Sequence, residues 1–118
     1  MVDPRPVVLD VPARPEYVRL ARMLVASVAA GGRYLDAEWV DDLRLAVSEA
    51  CTLAVGASRD GRLSVTCREE TDGLVVEVRD ATLDPEGDDG LAFELIRALV
   101  DDVATEVDVL RLRMNWAP

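Results

Sequence analysis

The sequence predicts an α+β fold: a two-layer sandwich in which a mixed, mostly antiparallel sheet is covered on one face by three helices. Three observations carry that expectation. Two early segments repeat apolar residues at helical spacing. Two later segments alternate apolar and polar residues around the turn Thr71-Asp72-Gly73. A third helical stripe then separates this hairpin from a final alternating segment.

The elements follow in order. Val7 to Val11 alternate briefly between Pro6 and Pro12, which suits a short edge strand. Pro15 fits the first turn of a helix whose stripe is Val18, Ala21, Leu24, Val25 and Val28, ended by Gly31-Gly32. Asp36 is placed to cap a second helix running to about Ala57. Its core stripe is Val40, Leu43, Val47, Ala50, Cys51 and Ala54, and an adjoining stripe reads Leu45, Glu49, Leu53. Glu49 therefore sits beside apolar neighbours and not on the fully solvated face.

Leu63, Val65 and Cys67 alternate with Arg62, Ser64, Thr66 and Arg68 in the first hairpin strand. In the second, Leu74, Val76, Val78 and Asp80 share one face, with Glu77 and Arg79 on the other. Asp80 thus extends the inward face at the strand's end. Residues 81–89 contain Pro85 and Gly87 and read as a loop. A third helix is expected over about Leu91 to Ala104, burying Leu95, Ile96, Leu99 and Val103. The last strand buries Leu110, Leu112, Met114 and Trp116. Val107 and Val109 have the opposite parity, which puts a bulge or turn near Val109 and Leu110.

A length of 118 residues suits one domain over 1–118. Against 23 Asp+Glu stand 13 cations, all of them Arg, for a net charge of −10. The chain has no Lys and no His. That excludes a Ser-His-Asp triad, phosphohistidine, His-ligated metal, a P-loop lysine and Schiff-base chemistry. Reactions here must run on carboxylates, Arg, hydroxyls or backbone amides. A pI near 4.3 argues against direct nucleic-acid binding, because a phosphate backbone would be repelled. It favours a basic protein partner, although simple solubility is the plainer explanation. Cys51 and Cys67 form no CxxC pair and fall on apolar faces, as expected of reduced, buried thiols in a cytoplasmic protein. Neither a signal peptide nor an apolar run near the ~20 residues of a membrane span is expected.

Two carboxylates stand at buried edges. Glu49, in mid-helix, has the placement of a general base whose pKa its surroundings could tune. Asp80, at a strand end, could accept from an amine such as the amino group of adenine. The plainer reading of each is a carboxylate satisfied by Arg or by backbone N–H groups. Periodicity leaves both readings open.

The segment Leu45-Ala46-Val47-Ser48-Glu49-Ala50-Cys51-Thr52-Leu53-Ala54-Val55 resembles the N-box helix of the anti-sigma-factor switch kinases. These are small serine kinases of the GHKL ATPase superfamily. The run from Gly90 to Val103 resembles their second glycine box and the helix after it, and Val76 to Asp80 their adenine-binding strand. The resemblance spans about Val7 to Trp116 with the elements in the right order. It implies a GHKL, or Bergerat-type, sandwich with Glu49 as the catalytic Glu that activates the nucleophile. It also implies Asp80 as the reader of adenine, and Gly90 as the first glycine of the second box.

Departures from the family pattern cluster at the same place. Where family members carry a Mg²⁺-ligating Asn one turn after the Glu, this chain has Leu53. Magnesium demands oxygen ligands, and Leu offers none. Glycines that follow the Asp are replaced by Thr82 and Asp84, and the second glycine of the second box is Ala92. A Cβ at such positions hinders close approach of backbone to nucleotide. Nine residues separate Asp80 from Gly90, so the lid over ATP is short. The glycine before the last strand is replaced by Asp108. Asp88 and Asp89 stand where the third helix begins, and a capping Asp there would occupy the amides a triphosphate needs.

The resulting expectation is an anti-sigma-factor-like regulator that binds a sigma factor or a STAS-type anti-anti-sigma protein, with ATP and Mg²⁺ binding weak or lost. The resemblance also implies a homodimer. One alternative is an active ATP-dependent serine kinase and anti-sigma factor using Glu49, Asp80 and Gly90. Another is a structural or ligand-binding sandwich whose pocket is bounded by Leu53, Asp80 and Thr82.

Overall fold

The computed structural model describes residues 5–31, 35–79 and 83–116. The predicted alternation becomes strand β1 (Val7–Pro12), and Pro15 opens a short 3-10 turn (Pro15–Tyr17) that leads into helix α1 (Val18–Ala30). Helix α2 spans Ala37–Ala57, and strands β2 (Arg62–Glu70) and β3 (Gly73–Arg79) form the expected hairpin. Helix α3 (Gly90–Leu99) and strands β4 (Asp102–Glu106) and β5 (Val109–Asn115) complete the order. The sheet runs β1-β2-β3-β5-β4. Every pairing in it is antiparallel.

One face of the sheet carries the core. Leu63, Val65 and Cys67 of β2 are fully buried, as are Leu74 and Val76 of β3. Val78, Leu110 and Leu112 continue the layer at 1% exposure each. Above them α1 contributes Val18, Ala21, Val25 and Ala29, and α2 contributes Leu43, Ala46, Val47, Ala50, Cys51 and Ala54. The α2 stripe is thus as expected, with Ala46 and Trp39 added and Val40 only partly buried. Alanines along this face let the helix approach the sheet closely, where larger side chains would hold it off. Both cysteines are free and buried. Burial pushes both thiols up to about 12, so neither is a reactive thiolate at neutral pH.

Trp39, at the first turn of α2, stacks on Trp116 with ring centroids 5.5 Å apart. Its Nε1 donates to the Asn115 carbonyl at 2.9 Å, and Trp116 Nε1 donates to the Glu70 carbonyl at 3.0 Å. This clasp ties the start of α2 to the ends of β2 and β5. Asp36 occupies the N-cap position, but its side chain makes no capping hydrogen bond. The Trp39 anchor, not an Asp cap, fixes where α2 begins.

The opposite face of the sheet holds charge. Glu77 is 6% exposed, although alternation alone places it on the solvent side. Arg111 donates to it through both Nε and a terminal nitrogen, at 3.2 and 3.0 Å, and Arg79 reaches it at 3.5 Å. Beside it, Arg113 donates to Glu70 at 2.6 Å and also pairs with Asp72. Hydrogen bonds from Arg113, then Arg68, hold the Glu70 carboxyl below its ordinary range. That stabilisation is present above the ordinary carboxylate pKa and is lost as pH falls through the lowered one.

The largest departure from expectation lies after α3. The helix ends at Leu99, not Ala104, and Val103 belongs to β4, paired with Leu112. A spacing of four, as between Leu99 and Val103, fits one helical turn and one face of a strand equally well. The chain turns to extended backbone at Val100. The Asp101 amide then donates to the Arg113 carbonyl at 3.0 Å, while its carboxylate accepts from the Asn115 amide at 2.7 Å. These bonds draw the segment onto the sheet. The expected turn falls at Val107-Asp108, two residues before the place parity suggested.

Asp108 adopts φ +60°, a left-handed conformation that glycine takes without strain, and it pairs with Arg59. Asp tolerates this region better than most residues, and β-branched ones fit it worst. Asp108→Val should therefore cost about 1–2 kcal/mol of stability, while Asp108→Gly should stay within about 1 kcal/mol of the parent in urea unfolding.

Candidate functional site

Helix α2 brings Glu49 to its edge. Ala46, Ala50 and Ala54 are buried in the core, and Glu49 turns sideways, half-buried, toward α3. Across from it α3 offers Leu91, Ala92, Glu94 and Leu95, with Asp88 just before the helix. Together these six residues line an open groove of about 640 Å³. The structure therefore brings together two of the residues expected at one site, Glu49 and Ala92. Leu53, one turn after Glu49, is partly buried and packs against the core. Its side chain fills apolar space and offers no ligand atom.

Gly90 stands at the first turn of α3, where a Cβ would lie 3.2 Å from the Pro85 carbonyl oxygen. Its amide donates to the Gly87 carbonyl at 3.0 Å. The approach is tight, so glycine here serves the loop's own closure. The other two expected site residues, Asp80 and Thr82, lie outside the described residues.

The segment before α3 is bonded mostly to itself. The Asp84 carbonyl accepts from the amides of Gly87 and Asp89 at 3.3 and 3.1 Å. Asp89 is the N-cap residue of α3, but its carboxylate accepts from the Asp84 amide at 2.6 Å and makes no capping bond to the helix. The expectation that an Asp carboxylate would occupy the α3 amides is thus corrected: Asp89 turns back to close the loop. Asp88, exposed, lines the groove.

The charge of the groove is one-sided. Glu49, Asp88 and Glu94 line it, and no Arg does among the described lining residues. Glu94 pairs with Arg97 of its own helix at 3.5 Å, and that guanidinium also lies 5.7 Å from the centre of the Phe93 ring. The carboxylates of Glu49 and Asp88 have no hydrogen-bond or ionic partner among the described residues. Among the described residues no group of three or more Cys, Asp or Glu has metal-binding geometry. Each carboxylate at ~4 Å repels a phosphate charge by about 1 kcal/mol even with the screening of bulk water.

Leu91 and Leu95 were not foreseen as surface residues; Leu95 was expected in the core. Leu91 is 86% exposed and Leu95 40%, while Phe93 and Ile96 hold the buried face. The signal was present in the sequence. The run Leu91-Ala92-Phe93-Glu94-Leu95-Ile96 is apolar around most of the helix, and a single sheet covers only one side.

This sandwich, with its groove between the long central helix and the helix that follows the loop, has the architecture of a GHKL-type nucleotide-binding domain. A family model for the histidine kinase-like ATPase domain matches residues 11–116, and the chain belongs to that family. Within it, the chain is similar to the serine-protein kinase RsbW of several bacteria. It is 32% identical to that of Bacillus licheniformis, over 82% of this chain and 75% of the relative. For Bacillus subtilis the identity is 31%, over 83% and 76%. For Listeria innocua it is 34%, over 86% and 80%.

If Leu53 alone blocked metal binding, restoring an oxygen ligand would restore affinity. The acidic lining predicts otherwise. Leu53→Asn should raise MgATP affinity by no more than about threefold, while losing about 1–2 kcal/mol of stability from the partly buried Leu. Calorimetric titration and urea unfolding of the variant check both.

Proposed function

We propose that this chain is an anti-sigma-factor-like regulatory protein that acts by binding a protein partner, with ATP binding weakened or lost. The partner class is a sigma factor or a STAS-type anti-anti-sigma protein in the cytoplasm, as the resemblance to switch kinases implies. The observation that carries this reading is the lining of the groove: three carboxylates, three apolar side chains and no cation among the described residues.

A nucleotide triphosphate needs positive charge or free amides, and a Mg²⁺ ion to gather its oxygens. Among the described residues no carboxylate caps the α3 amides, but the side chains here do not fit that group. Leu53 stands where the resemblance places the metal-ligating Asn, and it offers hydrocarbon. Thr82 and Asp84 replace glycines of the first box, Ala92 replaces one of the second, and the connection from Asp80 to Gly90 is short. Gly90 and Asp80 keep the residue types of the family pattern. What remains available is a scaffold with a shaped acidic and apolar surface.

A second reading has two findings in its favour. Glu49 faces the groove where a catalytic Glu would stand, and the relatives are named serine-protein kinases. On that reading the chain transfers phosphate from ATP to a serine of its partner, with Glu49 drawing the proton from the hydroxyl.

Affinity capture from the native cytoplasm, with and without MgATP, separates the two. The proposed function predicts that a sigma factor or STAS-type protein, identified by mass spectrometry, is recovered equally in both conditions. It also predicts that the captured partner gains no phosphate. Phosphate transfer that disappears in Glu49→Ala would establish the kinase reading instead.

A further inference from the structure

Helix α3 has two apolar faces and the fold uses one. Phe93 and Ile96 are fully buried in the core, while Leu91 and Leu95 stand at 86% and 40% exposure. These two leucines stand four residues apart, so they form a row about 6 Å long on one side of the helix. Leu45, one turn before Glu49 on α2, is 46% exposed and adds a further apolar position on that stripe. Between α2 and α3 lie Glu49 and Asp88, both without a charge partner among the described residues.

We propose that this groove holds an amphipathic helix of the protein partner, which sets an Arg or Lys against Glu49 and Asp88 and seats its apolar side chains on Leu91 and Leu95. The inference rests on the proposed function, since it assigns the partner to the groove that a nucleotide would otherwise fill. Charge complementarity selects this occupant. An anionic ligand meets carboxylates on both walls, and a second copy of the chain brings the same groove and a charge of −10. A basic segment meets unpaired acceptors, the half-buried Glu49 and the exposed Asp88, and forms charge-assisted hydrogen bonds with them. The volume, about 640 Å³, exceeds any single side chain and suits several anchors of a helix laid in a groove.

The test uses the full chain and a fluorescently labelled synthetic helix with leucines on one face and arginines beside them. A second peptide keeps the leucines and carries Glu in place of Arg. Anisotropy should show saturable binding of the basic peptide only. Leu91→Ser/Leu95→Ser, at exposed positions, should weaken it by at least about tenfold. Glu49→Gln/Asp88→Asn should weaken it by about fivefold and reduce its dependence on salt. Glu38→Gln, about three turns away on α2, should leave it unchanged and so control for the general acidity of the chain.

Equal binding of the two peptides, an unaltered affinity in the leucine variant, or no binding of the basic peptide would each overturn the inference. A MgATP titration on the same sample keeps the two claims apart. If neither nucleotide nor peptide binds, the groove assignment falls and the proposed function stands. If MgATP binds in the micromolar range and the basic peptide does not bind, both fall.

Discussion

The close seating of α2 on the sheet is the constraint on which the rest of the site depends. Ala46, Val47, Ala50, Cys51 and Ala54 have at most 2% exposure, so the helix lies against the strands with small side chains in between. Rotation about its axis would drive Glu49 into the core or lift these residues into water, at a cost that scales with the apolar area exposed. The Trp39–Trp116 stack, with its two indole hydrogen bonds to backbone carbonyls, sets the position along the axis. Rotation and translation fixed in this way leave Glu49 one place to point: the groove facing α3. Leu53 follows one turn on, partly buried against the core.

Charge is distributed over this scaffold in two manners. On the outer sheet face Glu70, Glu77 and Glu106 each have an Arg, and Glu77 is covered well enough to be nearly buried. At the groove the carboxylates of Glu49 and Asp88 lack such partners among the described residues. A protein that balances its charges on one surface and leaves them unbalanced on another directs its field to the second. The short loop that precedes α3 reinforces this. Asp89 holds the Asp84 amide, and Asp88 lines the cleft without a charge partner among the described residues.

Much of the fold was legible in the sequence because period and burial agreed there. The bounds of α2, the β2–β3 hairpin and the inward stripe of β5 all follow from a single apolar face meeting a single core. Legibility failed where one residue served two patterns. Val103 lies four residues after Leu99 and reads as another helical turn until the pairing of β4 with β5 claims it. Glu77 alternates outward yet is buried, because Arg68 and Arg111 on the neighbouring strands and Arg79 on its own close over it. Trp39 precedes the regular stripe of α2, and only its contact with Trp116, distant in sequence, brings it inside. At the site, Glu49 and Ala92 were identified from the motif and do line one groove, whereas Leu95 was assigned to the core. That assignment counted α3 as having one apolar face. The fate of a second face depends on what is left to cover it, and local pattern does not contain that information.

The central claim is that a histidine kinase-like ATPase fold has kept its scaffold while its groove has turned from nucleotide to protein. Calorimetric titration of MgATP into the unmodified chain tests it most directly. No saturable heat is expected below millimolar nucleotide, and a dissociation constant in the micromolar range would contradict the claim.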